Sequence, residues 1–277
     1  MRIRVHAVSP ERFRELGSSI GRVSNPAYLH APGYVGSPER RLLPRTLNLA
    51  DSPLGMPGVR FDFHSHSFLS DGVTSATDMW HEARFLGHRA LALTDHLSLD
   101  DPEPLMKRLH REAEAWKGER FVPLVGVELT KLPPRKIAST ARAARKAGAE
   151  IVLVHGETVA EHVPKGTNRA ALESGLVDIL AHPGLLTPEE AQLAKDNAVI
   201  LEISARRGHS LANGHVARIA RSVGAELVVD SDAHAPDQLV PAPQARRIAL
   251  GAGIPEDRID RVLEASPKAL LRRCRLN

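Results

Sequence analysis

Apolar and polar positions follow one regime up to about residue 58 and another beyond it. From residue 59, short and nearly unbroken apolar runs recur: VRFDFH (59–64), RALALT (89–94), FVPLVGVE (121–128), AEIVLVH (149–155), LVDILAH (176–182), AVILEIS (198–204) and AELVVDSD (225–232). Runs this short and this continuous predict strands covered on both faces, the habit of parallel sheets. Between them lie stretches of helical length and period: 74–87 with Thr74 as cap, 101–118, 133–148, 167–175, 187–197, 210–224, 243–253 and 255–266. Prolines open several of these and glycines close them, as helix ends favour. Gly214, inside the sixth, predicts an irregular first turn. Seven strand–helix units predict an α/β chain closed into a barrel rather than spread as a doubly wound sheet.

Residues 1–58 show no such period and are rich in Pro and Gly. Only SPERFRELGSSIG (9–21) carries helix signals, with Ser9 as cap and Pro10 in the first turn. The expectation is an N-terminal extension, 1–58, that lies on the barrel or joins two copies of the chain, followed by a barrel domain, 59–277.

The totals narrow the chemistry. Of 277 residues, 42% are apolar and 25% charged, which fits a globular, water-soluble chain. Aromatics make up 4%, too few for platforms on which bases stack. The formal net charge of +4 is compatible with a phosphorylated ligand without requiring one. A lone cysteine, Cys274, excludes an internal disulfide and a thiolate cluster. With no secretory h-region and no apolar run of membrane-spanning length, the expected location is cytoplasmic, away from membranes. Histidine is the abundant type, with 14 residues.

Their placement matters more than their number. His64, His66, His96, Glu128, His155, His182, Glu202, Asp232 and His234 stand at the C-terminal ends of the apolar runs or just past them. In a β/α barrel those ends share one rim, where binding sites form. His64 and His66, two apart on extended chain, point the same way. They either reach one ion or bond to backbone at the rim. Asp71 in SDG is either an Asx-turn residue or a carboxylate ligand. Glu128, closing an apolar run, needs a cation or a proton beside it. VLVHGE and ILAHPG repeat one event, an apolar strand that ends in histidine and a glycine turn. VVDSDAH adds Asp232 and His234, again two apart, with Asp230 placed to orient a neighbour. This set of imidazoles and carboxylates exceeds one tetrahedral zinc. Nitrogen and oxygen donors without thiolate suit zinc, manganese or iron, so two or three divalent ions are expected.

FDFHSHSFLSDG, LTDH, GVE, VHGE, ILAHPG and DSDAH, in that order, give the chain a pattern across residues 60–265 that resembles the PHP (polymerase and histidinol phosphatase) superfamily. The resemblance implies a distorted (β/α)7 TIM-like barrel with a trinuclear metal centre at its C-terminal rim. His64, His66, Glu128 and Asp232 would hold one ion. Asp71, His96 and a shared Glu128 would hold a second, and His155, His182 and His234 a third. The implied reaction is hydrolysis of a phosphomonoester, with hydroxide shared between two metals attacking phosphorus opposite the leaving oxygen. Glu128, Asp232 and His234 would stand at the reacting centre. Arg206, Arg207, Lys165 and His209 are the candidates for phosphate contacts. Asp95, beside His96, would accept a ring N–H, and Glu202 and Asp230 would support ligands from behind. The expected partner is a small phosphorylated molecule such as histidinol phosphate or a nucleotide. A nuclease or oligonucleotide-end phosphatase acting on short oligonucleotides is one alternative. A non-catalytic RNA-binding or assembly subunit on the same barrel is another, and homo-oligomerisation stays open.

Overall fold

A computed structural model of the protein describes residues 59–116 and 119–276, so the expected extension and its helix at 9–21 lie outside the described residues. Each of the seven apolar runs supplies a strand. These are β1 (Arg60–Asp62), β2 (His88–Leu93), β4 (Val122–Leu129), β5 (Ile151–His155), β6 (Ile179–Ala181), β7 (Ile200–Ser204) and β8 (Leu227–Asp230). An eighth, β3 (His96–Leu97), was not expected. It is two residues long and exists because His96 pairs beside Glu128 on β4. All ladders are parallel, in the order β1-β2-β4-β5-β6-β7-β8.

The sheet curls until its first and last strands meet, but they share little ladder. One parallel bridge joins Ser65 to Ala233, and the His66 N–H donates to the Ala233 carbonyl at 2.8 Å. Side chains do the rest. The Asp230 carboxylate accepts the Phe63 N–H at 2.8 Å, and the Asp62 carboxylate accepts the Ser231 N–H at 3.0 Å. Arg60, buried, pairs with Asp62 at 2.8 Å and donates to the carbonyls of Val229 and Val240. The result is a distorted barrel.

Strand residues alternate between two cores. Outward side chains such as Leu91, Leu93, Val125, Val127 and Val152 pack under the surrounding helices. Inward ones, including Phe61, Phe63, Ala90, Ala92, Leu124, Ile151, Leu153, Ile179 and Val228, fill the lumen. Leu270 and Cys274 of the last helix, α8 (Ser266–Leu276), join this inner cluster. Burial pushes the Cys274 thiol up to about 12, which keeps it protonated and inert.

The outer helices are α1 (Ala76–Phe85), α2 (Glu103–Ala113), α3 (Ile137–Lys146), α4 (Thr167–Glu173), α5 (Pro188–Asp196), α6 (Asn213–Val223) and α7 (Ala242–Gly251). Ser75 caps α1, not Thr74, because its hydroxyl reaches the Asp78 N–H. Thr187 and Glu190 close a capping box on α5. The irregular first turn expected of the stretch 210–224 is a 3-10 segment, His209–Ala212, that precedes α6, while Gly214 itself lies within α6. The final helical stretch runs further than expected, through a π segment at Arg261–Ala265 into α8. No helix among the described residues is long and apolar enough to cross a membrane.

Candidate metal centre

The alternation that fills the lumen also builds its top. Leu124 and Glu128, Ile151, Leu153 and His155, and Ile200 and Glu202 each lie in one phase of one strand. Apolar members form the floor, and the last member of each series brings a donor to the C-terminal end. His182 and Asp232 leave their strands with φ of 29° and 50°, in the left-handed region. A non-glycine residue there costs on the order of 1–3 kcal/mol, and such positions concentrate at functional sites. The turn carrying Asp71 folds back onto His66: a Cβ on Gly72 would stand 2.4 Å from the His66 carbonyl oxygen, so only glycine fits.

Glu128 is the hub. It is fully buried, and its two oxygens face five imidazoles. His64 Nε2 lies at 3.4 Å, His66 Nε2 at 3.7 Å, His155 Nδ1 at 3.3 Å and His182 Nε2 at 3.4 Å, with His96 Nδ1 nearer at 2.8 Å. Asp232 faces His66 at 3.4 Å and His64 and His182 at 3.7 Å. Asp71 reaches His234 Nε2 at 3.1 Å and His96 Nε2 at 3.4 Å. Most of these separations are too long for good hydrogen bonds. They match donors around a shared cation, since ligands about 2.1 Å from a tetrahedral zinc stand roughly 3.4 Å from one another. Most of the buried side-chain atoms without a hydrogen-bond partner among the described residues mark the same place: His64 Nε2, both ring nitrogens of His66 and of His182, His155 Nδ1 and Glu128 Oε1; the others belong to His88, Trp116, Asp230 and Arg273. Leaving such atoms unpartnered costs roughly 1–3 kcal/mol each. The donor set therefore fits divalent ions.

The electrostatics agree. Burial alone would raise the Glu128 carboxyl, but His64, His155 and His96 hold it well below the usual range. Burial, only partly opposed by Asp232, drives His66 down to about 3, leaving a neutral ring with a lone pair to offer. His64 goes the other way: its burial is outweighed by Asp232, Glu202 and Glu128, which raise it well above the usual value. For His96, burial is outweighed by Glu128 and Asp71, raising it to about 10. Cation binding would replace those protons.

All nine candidate ligands converge, but the closest groupings of their donor atoms differ from the expected sets. The sets whose donor atoms crowd together are His66, Asp71, His96 and His234; His64, His66 and Glu128; Glu128, His155 and His182; His64, His182 and Glu202; and His182, His209 and Asp232. His234 thus stands at donor spacing from Asp71 and His96, whereas the expected set put it with His155 and His182. The left-handed turn at Asp232 lies just ahead of it, and Asp71 lies 3.1 Å from its ring.

Glu202 accepts from His64 Nδ1 at 2.9 Å and from the His182 N–H at 2.7 Å. Asp95 does not take a ring N–H. It accepts from the Ser67 N–H and hydroxyl, both at 2.8 Å, and from the Ser70 hydroxyl at 2.7 Å, so it pins the turn between His66 and Asp71. Asp230 serves the β1–β8 seam and hydrogen-bonds no imidazole. Arg206 lies in the site, its guanidinium donating to the Asp232 carbonyl at 3.1 Å and resting against the His234 ring. His209 is buried, bonded through Nδ1 to Thr158 Oγ1 at 2.7 Å, with its ring stacked 4.1 Å from that of His182. Arg207 and Lys165 are exposed and make no hydrogen bond or ion pair with the cluster. Two participants had no sequence signal. Thr130 meets His96 Nδ1 at 2.8 Å, and Glu161, in the loop after β5, faces His155 Nε2 at 3.5 Å.

Comparison with known proteins places this geometry. The family model for the PHP domain matches residues 62–232. An uncharacterized protein of Methanocaldococcus jannaschii is 42% identical over 217 residues, spanning 78% of this chain and 100% of that one. Ribonuclease P protein component 3 of Methanosarcina mazei is 27% identical over 231 residues, covering 78% and 90% of the two chains. Among solved structures, histidinol phosphate phosphatase from Lactococcus lactis, complexed with zinc, L-histidinol and phosphate, superposes with a TM-score of 0.50 at 15% identity. That match covers 71% of this chain and 94% of the other, and at this identity it speaks for the fold alone.

Proposed function

The chain belongs to the PHP domain family, and on that premise we propose that it is a metal-dependent phosphoesterase that hydrolyses a phosphomonoester of a small molecule. The observation that carries this reading is the cluster of unpartnered, buried donor atoms held at ligand spacing around Glu128 and Asp232. Two or three divalent ions in that cluster would supply positive charge to a phosphate group and lower the pKa of water there. His64, His66, Glu128 and Asp232 would form the deep part of the site, with Asp71, His96 and His234 on one flank and His155 and His182 on the other. Glu202 fixes the tautomer of His64 by accepting at Nδ1, which leaves Nε2 free to bind. Arg206, with part of its side chain exposed at the edge, is placed to donate to a non-bridging phosphate oxygen.

The Lactococcus neighbour's complex with L-histidinol and phosphate supports a small phosphorylated substrate. The decisive experiment has two parts. Purified protein incubated with zinc or manganese should retain two or three equivalents by elemental analysis. A screen of phosphorylated metabolites beside 5′- and 3′-phosphorylated oligonucleotides should then release inorganic phosphate from the metabolites. Retention of no metal would refute the reading. The likeness to a ribonuclease P component supports a second one, an RNA-binding subunit without catalysis. It predicts RNA binding with no bound metal.

A further inference from the structure

Outside the nine ligands, two side chains face each other where the buried cluster gives way to solvent. His209 is buried, Glu161 is about half exposed, and His209 Nε2 stands 3.7 Å from Glu161 Oε1. What each can offer follows from its neighbours. The Thr158 hydroxyl has two hydrogen-bond partners among the described residues. It accepts the Ala160 N–H at 3.3 Å and lies 2.7 Å from His209 Nδ1. Thr158 is buried, and a buried hydroxyl needs an acceptor for its hydrogen. Nδ1 is the acceptor it meets, so Thr158 donates and the ring hydrogen of His209 sits on Nε2. The carboxylates beside Nε2 agree, since Glu161 Oε1 and, at 3.8 Å, Asp232 Oδ2 are acceptors. Neither is near enough for a hydrogen bond. His209 thus presents an unanswered N–H. A nitrogen that carries hydrogen has no lone pair for an ion, despite its nearness to His182 and Asp232.

Glu161 is the acceptor of the pair. Its Oε2 lies 3.5 Å from His155 Nε2. His155 Nδ1 is unpartnered and faces Glu128, so its lone pair serves the cluster and Nε2 carries the hydrogen. Oε2 is thereby turned toward His155, and Oε1 is left toward His209. The loop is braced in this position. The Glu157 carboxylate accepts from the Gly166 and Asn168 N–H groups, and the Asn168 side chain accepts the Glu157 N–H in return. Both ends of 157–166 are thereby tied together.

A donor and an acceptor therefore stand side by side at the mouth. An anion between two carboxylates would be repelled. An ammonium group would leave the His209 N–H unanswered, and an alkyl group would leave both polar atoms so. A hydroxyl accepts from one and donates to the other. An oxygen about 2.8 Å from each fits between atoms 3.7 Å apart. Nε2 is 3.8 Å from Asp232, so such a hydroxyl lies close to a phosphate held in the centre. Resting on the phosphoesterase reading above, we propose that His209 and Glu161 form a hydroxyl-recognition subsite. The preferred substrates are phosphomonoesters whose alcohol carries a second hydroxyl on the carbon next to the ester. His209 contacts the alcohol part of the substrate, not its phosphate, and Thr158 is the positioning residue that fixes it as a donor.

Two measurements on the zinc-loaded full chain test this. Nitrogen NMR of histidine-labelled protein, with His209 assigned by its loss in His209→Gln, should show the ring hydrogen on Nε2 alone. A hydrogen on Nδ1 would overturn the proposal. The second measurement compares kcat/KM for ethylene glycol monophosphate and ethyl phosphate, which differ by one hydroxyl. Wild type should favour the diol ester about tenfold or more. Thr158→Val and Glu161→Ala should each pull that ratio toward one, and Thr158→Ser, which keeps a hydroxyl, should retain it. Protein that hydrolyses no phosphomonoester would sink the phosphoesterase reading itself. Protein that hydrolyses phosphomonoesters but shows no preference within this pair would overturn only the present proposal. So would variants whose ratio matches wild type, or whose sole defect is weaker inhibition by inorganic phosphate. Glu161 is half exposed, so Glu161→Ala should fold normally and carries the test if Thr158→Val does not. Circular dichroism of both variants checks this.

Discussion

The two ends of the barrel lumen draw on the same strands, in one phase for pairs such as Leu124 and Glu128 or Ile151 and His155, and meet opposite fates. At the floor, Phe61, Leu124, Ile151, Ile179 and Leu270 pack against one another with nothing left over. At the top, Glu128, His155 and their neighbours are buried as deeply yet keep polar atoms without partners. Packing satisfies an apolar group completely, because dispersion and exclusion of water ask for no particular partner. A buried ring nitrogen or carboxylate oxygen asks for a specific one. Where the protein supplies none, an ion is the economical answer. The contrast shows that burial alone does not identify a core. What marks the site is that unsatisfied buried atoms gather there.

Substitutions at the two ends should separate these roles. The largest effect belongs to Glu128→Ala, which removes the acceptor shared by five imidazoles. Zinc affinity, followed by titration, should fall by more than the roughly 100-fold that loss of an outer-shell partner can cost. Wild-type affinity in that variant would break the comparison. Leu124→Ala, at the floor, should cost about 2–5 kcal/mol in urea unfolding. The folded fraction should keep its full zinc stoichiometry. Glu202→Gln should come next, loosening His64 and lowering zinc affinity about 10- to 100-fold without changing the number of sites.

The smallest effect lies at neither end. Arg261 and Ser266 hold the Glu226 carboxyl below its usual range, against partial burial. A depressed carboxyl stabilises the fold above its unfolded pKa and loses that contribution as pH falls through the folded value. The pair is partly exposed, so Glu226→Gln should cost only roughly 0.2–1 kcal/mol near neutrality. That difference should vanish in acid, as thermal melts across pH would show.

The strands were legible because parallel strands covered on both faces leave continuous apolar runs, and the donors were legible because they end those runs. What stayed hidden has local causes. β3 is too short to leave a pattern and owes its existence to its neighbour. Thr74 and Ser75 are both hydroxyl residues, and only the reach to the Asp78 N–H chooses between them. The partners of His234 depend on a left-handed turn at Asp232 that no two-residue period expresses. Asp95 reads as a neighbour of His96, but its acceptor atoms are claimed by Ser67 and Ser70, set by a loop fold rather than by adjacency. Glu161 comes from a loop without rhythm, where one acid looks like any other.

The join between β1 and β8 has a genetic consequence. At the other strand junctions, cohesion resides largely in peptide groups, which survive any replacement except proline. Here it resides largely in Arg60, Asp62 and Asp230, so single codon changes can unfasten the cylinder. Substitutions that the remaining staves would tolerate should be costly along this one line.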